Sequence, residues 1–161
     1  MPMIPERYQP GIGLRPGGER PDLEPAIGLL YQALYMSITA HSQIGLNVIA
    51  DVGHHNDYSA PMNILPHCAR ILEGYPVLFI GVRCPINEIM RRRANTQYAS
   101  YDENGVIPKP ILLWQQSVHI PGIYDLEVDS SVSTPSEIAE IIRNRLGEGH
   151  FMAFHRLAGL I

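Results

Sequence analysis

Short apolar runs alternate along this chain with longer segments in which apolar residues recur every three or four positions. The runs predict buried strands, because both faces of a strand in a parallel sheet are covered, and the periodic segments predict amphipathic helices. The predicted strands cover 47–51, 76–82 and 124–128. The predicted helices cover 22–45, 59–74, 85–93, 110–118 and 134–147. A short extended run is the alternative for 110–118. Their alternation indicates an α/β fold with three layers, in which helices flank a parallel sheet.

Capping residues mark the ends of two of these helices. Asp22 is the predicted N-cap of the first helix, and Gly45 is its predicted stop. The segment 134–137, Thr-Pro-Ser-Glu, has the sequence of a capping box with proline at the first helical position. Gly147 is the predicted end of that last helix.

We expect a single domain over residues 1–161, since domains commonly run to roughly 100–200 residues. Five prolines and four glycines fall within residues 1–22, so this part is predicted to be a Pro/Gly-rich loop. Residues 23–147 form the predicted α/β core. The pattern does not decide the structure of the tail, 148–161.

Composition argues against several classes of partner. The net charge is −4 and 17% of the residues are charged, whereas nucleic acid and membrane surfaces call for a basic face. We therefore expect no nucleic acid and no membrane partner. No apolar run approaches the ~20 residues that span a bilayer, and no signal sequence is evident, so the predicted location is cytoplasmic. Cys68 and Cys84 lie in apolar patterns and are expected to be reduced core thiols.

Ionisable residues lie at the end of each predicted strand. Asp51, Arg83 and Asp129 occupy these positions, and ligands of parallel sheets bind beyond the carboxyl ends of the strands. An acid that ends an apolar strand can hold Mg²⁺, directly or through water, or orient a nucleophile. Asp51 is therefore the candidate catalytic and metal-binding residue. The alternative is that it caps the following turn.

Three consecutive arginines, Arg91, Arg92 and Arg93, lie on the predicted helix after the second strand. Consecutive residues spread over roughly 200° of a helix, so they cannot all face one ligand. One or two could bind phosphate oxygens through the planar guanidinium group, and a solvated helix face is the alternative. The polar segment that follows, 94–108, is expected to form a mobile lid.

Two adjacent histidines, His54 and His55, follow Asp51 closely. Adjacent side chains rarely point at one ion, and no further ligands are evident, so a metal site is disfavoured. A polar contact to a substrate near a pocket mouth and a plain surface loop both remain open.

Several segments together resemble the chloramphenicol phosphotransferase-like family. They are N-V-I-A-D at 47–51, G-V-R-C at 81–84, V-H at 118–119 and Y-D-L-E-V-D at 124–129. An Arg-rich helix lies between the second and third of them. In order and spacing, the resemblance covers roughly residues 24–146.

The resemblance implies a P-loop kinase fold and a transferase that moves the γ-phosphoryl group of ATP, with Mg²⁺, to a hydroxyl of a small molecule. It implies that Asp51 is the Walker B-like acid and that the arginines at 91–93 bind the phosphates. It implies that Asp129 and Ser130 lie near the adenine. The Pro/Gly-rich segment, with Tyr8 and Arg15, would then be the loop on the substrate side.

The chain departs from this family in one respect. No G-x-x-x-x-G-K-[ST] sequence occurs in its 161 residues, so the predicted kinase fold is incomplete at its amino terminus. Backbone amides and a lysine in that loop normally cradle the phosphates, and we expect no useful phosphorylation by this chain alone. The alternative is a non-enzymatic remnant that serves as a binding or oligomerisation module. A homo-oligomer is compatible with both functions.

The acceptor is not specified by the sequence. Few charges lie near the predicted pocket, and an uncharged aromatic or aliphatic alcohol is favoured by residues that could line an apolar site, namely Tyr8, Tyr31, Tyr35, Met62 and Trp114. Core packing explains the same residues equally well.

Overall fold

The computed structural model describes residues 20–94 and 105–161. Within these ranges the chain forms six α-helices and a two-stranded parallel sheet. The elements are α1 (Glu24–Gln43), α2 (Ile64–Ile71), β1 (Ile80–Arg83), α3 (Ile86–Arg93), α4 (Lys109–Ser117), β2 (Leu126–Asp129), α5 (Pro135–Glu148) and α6 (Ala153–Ala158). This confirms the predicted mixed α/β class, with a sheet that is smaller than predicted over the described residues.

Strands β1 and β2 run in the same direction, side by side. Their pairing extends from Ile80 opposite Leu126 to Arg83 opposite Asp129. Beyond the last pair, the amide of Ser130 donates to the carbonyl of Arg83 at 2.9 Å. The carboxyl ends of the two strands therefore lie at one edge of the sheet, and this edge carries Arg83 and Asp129 as predicted.

The prediction of a first strand at 47–51 is wrong. Residues 46–57 belong to no helix or strand, and 47–51 make no backbone hydrogen bond to another described residue. The side chain of Ile49 is 99% exposed. An apolar run becomes a strand only where a neighbouring strand binds its N–H and C=O groups, and the described part of the chain offers it none.

Helix α2 begins at Ile64, later than the predicted start at residue 59. The side-chain oxygen of Asn56 accepts hydrogen bonds from the amides of Met62 and Asn63, at 2.8 and 2.9 Å. Asn63 also has a left-handed backbone, with φ of 48°. Since the side chain of Asn56 satisfies these amides, the chain remains a loop up to Asn63.

The predicted N-cap at Asp22 is also wrong. Asp22 lies in a short 3₁₀ turn, Pro21–Leu23, and its carboxylate accepts two hydrogen bonds from Arg20 at 2.7 and 2.8 Å. No side chain caps α1. The predicted stop is confirmed, because Gly45 adopts φ of +86° just after the helix.

The capping box of α5 is confirmed. The hydroxyl of Thr134 accepts from the amide of Glu137, and the carboxylate of Glu137 accepts from the amide of Thr134. The helix continues past Gly147 and ends at Gly149, which has φ of 69°. The predicted stop at Gly147 is therefore wrong by two residues, because the left-handed glycine that ends the helix is Gly149.

The largest hydrophobic core lies between α1, α2 and α6. Its buried side chains are Tyr35, Ile64, Leu65, Cys68, Ala69, Leu72, Phe154, Leu157 and Ala158. The tail that the sequence left open therefore contains a helix, α6, that packs on its own chain. Both cysteines are free. Cys68 is a core thiol as predicted, with burial raising its pKa to about 12, and Cys84 is half-buried.

Asp125 fastens α6 to the sheet. One carboxylate oxygen accepts from the amides of Met152 and Ala153 at 2.6 and 2.9 Å, and the other accepts from the amide of Phe79 at 3.0 Å. The carboxylate satisfies amides at the start of α6 that have no partner within the helix. Asp125 is half-buried, and its carboxylate therefore links the strand region to the start of α6 through three backbone amides.

Candidate functional site

The loop after β2 is bound to the end of β1. Besides the Ser130 amide, the Ser130 hydroxyl also donates to the carbonyl of Arg83, at 3.2 Å. The carboxylate of Asp129 accepts from the hydroxyl and the amide of Ser131, at 2.6 and 2.7 Å. These two hydrogen bonds lower the pKa of Asp129. Asp129 is therefore ionised near neutral pH, and it gives the loop a fixed shape.

The arginine cluster is arranged around Glu88, at the start of α3. Arg91 donates to both carboxylate oxygens of Glu88 at 2.7 Å, and Arg92 donates to one of them at 2.7 Å. Hydrogen bonds from these two arginines lower the pKa of Glu88 to about 2. Arg93 is half-buried. Two of the three arginines therefore converge on one carboxylate.

Arg92 also reaches the loop after β2. Its guanidinium donates to the Ser130 carbonyl and, at 3.3 Å, to the Ser130 hydroxyl. The structure thus brings together two predicted cofactor-binding residues from different elements. Their contact lies beside the carboxyl ends of β1 and β2, where α/β proteins bind ligands.

Asp51 lies on a groove between α1 and the irregular segment that follows it. The groove has a volume of about 510 Å³ and is lined by side chains of α1, including Leu34 and His41, and by residues 46–51. The carboxylate of Asp51 is exposed and makes no contact with Arg92 or Asp129 among the described residues. The strand that was predicted to aim Asp51 at the other residues is absent from this part of the structure.

His54 is buried, with 4% of its surface exposed. Its Nε2 atom forms a hydrogen bond of 3.0 Å with the hydroxyl of Tyr35, and its ring lies 5.0 Å from that of Tyr31. Burial, with a smaller effect of His55, lowers the pKa of His54 to about 4. His54 is therefore neutral at physiological pH, and it packs against Tyr31 and binds the hydroxyl of Tyr35.

His55 is half-buried and contacts two other rings. It stacks on Tyr58 with centroids 4.4 Å apart and meets Trp114 edge-on at 5.6 Å. Its Nδ1 accepts from the amide of Asp57 at 3.2 Å, which leaves the proton of the neutral ring on Nε2. Burial lowers the pKa of His55.

These rings form two neighbouring sets, one around His54 and one around His55, which the backbone of 53–55 connects; together we call them the aromatic cluster. Its members are Tyr31, Tyr35, His54, His55, Tyr58 and Trp114. Gly53 lies beneath it, because its carbonyl accepts from Tyr31 at 3.0 Å and a β-carbon there would lie 2.7 Å from the ring of Trp114. Both predicted histidines therefore lie beside Tyr31, Tyr35 and Trp114. The sequence left open whether these three residues line a pocket or pack in the core.

Glu24 is a residue that the sequence reasoning missed. It is 9% exposed, and its carboxylate accepts from the amide of Ser59, at 3.0 Å, and from the Ser59 hydroxyl. The two residues are 35 positions apart, so no local pattern links them. This bond holds the loop below the aromatic cluster to the first turn of α1.

The pair His119 and Tyr124 was also missed as a structural unit. Nδ1 of His119 forms a hydrogen bond of 2.8 Å with the hydroxyl of Tyr124. The guanidinium of Arg83 lies 5.8 Å from the centre of the tyrosine ring and forms an ion pair of 2.6 Å with Glu127. The spacing of V-H and Y-D in the sequence was a usable signal, since it places a histidine within reach of a tyrosine across one tight turn.

Some predicted residues cannot be placed. Tyr8 and Arg15 lie outside the described residues, as does 95–104 of the predicted lid. Over the described ranges, no group of three or more His, Cys, Asp or Glu side chains could hold a metal ion. No helix in these ranges is both long and apolar enough to cross a bilayer.

Comparison with known proteins gives one match. No curated protein and no solved structure matches the chain. The family model described as "Chloramphenicol phosphotransferase-like protein" matches residues 1–147, which include every described element except α6 and the last residue of α5. The chain therefore belongs to the chloramphenicol phosphotransferase-like family.

Proposed function

We propose that this domain transfers the γ-phosphoryl group of ATP to a hydroxyl of a small molecule. Membership of the family supports a phosphotransferase-type reaction. The observation that carries the nucleotide site is the contact between Arg92 and Ser130. It joins the arginine-bearing helix to the loop after β2, at the edge of the sheet where parallel α/β proteins bind their ligands.

Arg91 and Arg92 are the proposed cationic groups for the phosphates. Both already donate to Glu88, so a phosphate must compete with one carboxylate for their planar guanidinium groups. A triphosphate carries more negative charge than Glu88 and can draw one arginine away. Arg93, Asp129 and Ser130 complete the proposed cofactor contacts, with the loop at 129–130 beside the adenine.

Asp51 is the proposed ligand of the Mg²⁺ that accompanies ATP, and the proposed catalytic acid of the Walker B type. Magnesium usually keeps several waters and binds through one or two carboxylates together with phosphate oxygens. A single exposed carboxylate without a partner among the described residues fits this requirement. When bound, the ion would neutralise charge on the transferred phosphoryl group.

The acceptor alcohol is proposed to lie against the exposed side of the aromatic cluster, at His55 and Trp114. Stacked and edge-on rings favour an uncharged aryl or alkyl group. The Nε2 proton of His55 could bind a polar substituent of the acceptor. His54 is proposed to support this surface through Tyr35.

We also propose that the 161-residue chain alone does not turn over ATP. Its sequence contains no Walker A loop, and such a loop supplies most of the amides that stabilise the transferred phosphoryl group. Binding of ATP through the arginines and Asp51 can persist without that loop, so binding and turnover are separate tests.

The binding test uses a fluorescent ATP analogue that carries a methylanthraniloyl group, with Mg²⁺. Trp114 is the single tryptophan and serves as the energy donor. We expect saturable binding by the native chain, and about tenfold weaker binding by Arg92→Met, because one charge-assisted hydrogen bond is worth roughly 1.5–3 kcal/mol.

Arg143→Met is the matched control, since Arg143 is an exposed arginine on α5 that pairs with Glu140. It should bind the analogue like the native chain. No saturation by the native chain, or an equal loss in both variants, would contradict the nucleotide site. Phosphorylation of an added alcohol by the chain alone would support the reaction and contradict the proposed inactivity.

A second candidate function, a non-enzymatic binding or oligomerisation module, is favoured by one observation. Helix α1 exposes large apolar side chains, among them Leu29 and Leu30, which are 65% and 66% exposed. A catalytic site explains no part of that surface. Failure of the native chain to bind the ATP analogue would favour this candidate.

A further inference from the structure

We propose that a cavity between α2 and α6 binds a small arylalkylamine, a ligand in which a short alkyl chain joins an aromatic ring to an ammonium group. This inference goes beyond the proposed phosphotransferase function and does not depend on it. The cavity has a volume of about 390 Å³, within the range of about 300–1,000 Å³ that is usual for ligand sites. Its lining comes from the end of α2, from the connection at 72–77 and from residues around the start of α6.

Backbone hydrogen bonds fix the two sides of the cavity. On the α2 side, the amide of Tyr75 donates to the carbonyl of Leu72 at 3.1 Å, and Gly74 between them has φ of +86°, a conformation that favours glycine. On the α6 side, the carboxylate of Asp125 accepts from the amides of Met152 and the residue after it. The cavity is therefore built into the fold, as most ligand sites are.

Three aromatic rings contribute to the lining, those of Tyr75, Phe151 and Phe154. Phe154 is 8% exposed, and its ring packs edge-on against Phe79 with centroids 5.0 Å apart and stacks on Tyr35 at 6.3 Å. These neighbours hold the ring of Phe154 in place. Aromatic rings prefer edge-on or offset contacts with other rings and gain more from them than from burial alone, so the lining favours a ligand with an aromatic ring.

One carboxylate, that of Glu73, lies among the described lining residues, and no lysine or arginine does. Glu73 is exposed and forms no hydrogen bond or ion pair with any residue of the described ranges. The guanidinium of Arg145 lies 5.1 Å from the centre of the Phe151 ring, but it is paired with Glu148 at 3.0 Å. The charge that complements the cavity is therefore positive, and an ammonium group can donate to Glu73 and to the imidazole of His155.

The cavity is distinct from the sites that carry the proposed phosphotransferase function. Phe151, Met152, Phe154 and His155 all follow residue 147, where the match to the family model ends. None of the lining residues belongs to the aromatic cluster or to the proposed nucleotide contacts. An amine bound here is therefore a ligand separate from ATP and from the proposed acceptor alcohol.

The test is a titration of the native chain with three probes, followed by the NMR signals of its methyl groups. Phenethylamine, 2-phenylethanol and 3-phenylpropionate share the ring and a similar length, and they carry a positive, no and a negative charge. The methyl signals of Leu72, Val77 and Met152 should shift saturably with phenethylamine, with a Kd of about 1 mM or tighter. We expect about three- to tenfold weaker binding of 2-phenylethanol, and weaker binding still of 3-phenylpropionate.

Glu73→Gln removes the charge at an exposed position and should bind phenethylamine and 2-phenylethanol about equally. Glu140→Gln, at an exposed carboxylate on α5, is the matched control and should keep the preference of the native chain. Equal affinity of the native chain for the three probes, or a preference that survives in Glu73→Gln, would overturn the proposal. So would the absence of saturable shifts in the lining methyl groups, or shifts confined to the indole of Trp114.

Val77→Phe tests the cavity itself, because it enlarges a half-buried lining side chain and leaves Glu73 in place. It should weaken binding of phenethylamine at least about tenfold, since the new ring occupies the space of the ligand, while circular dichroism stays that of the native chain. Unchanged binding in the folded variant would show that the amine contacts the surface alone, against the proposal. Because Glu73 is exposed, Glu73→Gln decides the matter even where Val77→Phe fails to fold.

Discussion

The ring of Tyr124 occupies the space that a β-carbon on Gly81 would need. An ideal β-carbon at Gly81 lies 2.7 and 2.8 Å from two atoms of that ring, well inside normal contact. The absence of a side chain at Gly81 thus lets Tyr124 lie on β1, where it reaches His119 and the guanidinium of Arg83. This packing gives a physical reason for the glycine in the G-V-R-C segment.

Gly81→Ala is therefore expected to destabilise the fold by about 1–3 kcal/mol, the usual cost of overpacking. Urea unfolding measures the change. Gly147→Ala is the control, because nothing lies within 4 Å of a β-carbon there; it should be neutral or slightly stabilising. The double variant Gly81→Ala with Tyr124→Leu should lose less stability than the sum of the single changes, and full additivity would contradict the packing argument.

Asp125→Ala is expected to release α6 from the sheet. The substitution leaves the amides of Phe79, Met152 and Ala153 without their partner, and each lost hydrogen bond costs about 1 kcal/mol. Hydrogen exchange should show loss of protection over 152–158 before the rest of the chain. Asp57→Ala, at an exposed carboxylate, is the control, and equal exchange of α6 in both variants would rule out this role of Asp125.

Stability should fall in mild acid because of His54. Its folded-state pKa is lowered from 6.5 to about 4 by burial, so the unfolded chain binds the proton more readily. The contribution of neutral His54 to the free energy of unfolding is fully present above about pH 6.5 and is lost as the pH falls from there through about 4. By pH 4.5 the loss amounts to about 2–3 kcal/mol.

The measurement for His54 is the free energy of unfolding in urea at pH 7 and pH 4.5. His54→Gln keeps a polar group for Tyr35 but does not titrate, so its stability should change less between the two pH values than that of the native chain. The same pH dependence in both proteins would show that other groups cause it.

Gly53→Ala is expected to displace Trp114. A β-carbon at Gly53 would lie 2.7 Å from an atom of the indole ring, so the ring must move towards solvent. Because Trp114 is the single tryptophan, its emission should shift to longer wavelength. An unchanged spectrum in Gly53→Ala would mean that the aromatic cluster is not packed as described, and Gly147→Ala again serves as the control.

Glu88→Gln is expected to strengthen binding of the fluorescent ATP analogue severalfold. The carboxylate of Glu88, whose pKa is lowered to about 2 by Arg91 and Arg92, is charged at neutral pH and competes with phosphate for both guanidinium groups. Glu140→Gln, which removes the partner of Arg143 on α5, is the matched control. Weaker binding by Glu88→Gln would indicate that the carboxylate positions the arginines and does not compete with the nucleotide.

Much of the local structure could be read from the sequence. The capping box at Thr134 and Glu137, the stop at Gly45 and the helix after Pro85 depend on residues within one or two turns of each other, and the structure confirms them. The family resemblance was likewise visible, because its segments keep their order and spacing.

The candidate site could be predicted only in part. Arg92 and Ser130 were both named from their positions after strands and are in contact, because parallel strands end at one edge. Asp51 was placed with them on the strength of a strand that the structure does not contain. The roles of Glu24 and of Asp125 were missed, since their hydrogen bonds reach residues far away in the chain.

The sequence by itself indicated helices α1 to α5, strands β1 and β2 and the family, because these depend on short-range periodicity, caps and ordered motifs. Only the tertiary structure decided that His54 is buried against Tyr35, that α6 packs on α2 and that 47–51 finds no partner strand among the described residues. Burial and strand pairing depend on which neighbours three-dimensional packing supplies. The apolar run at 47–51 shows the difference, since its composition fits a strand and no described residue pairs with it.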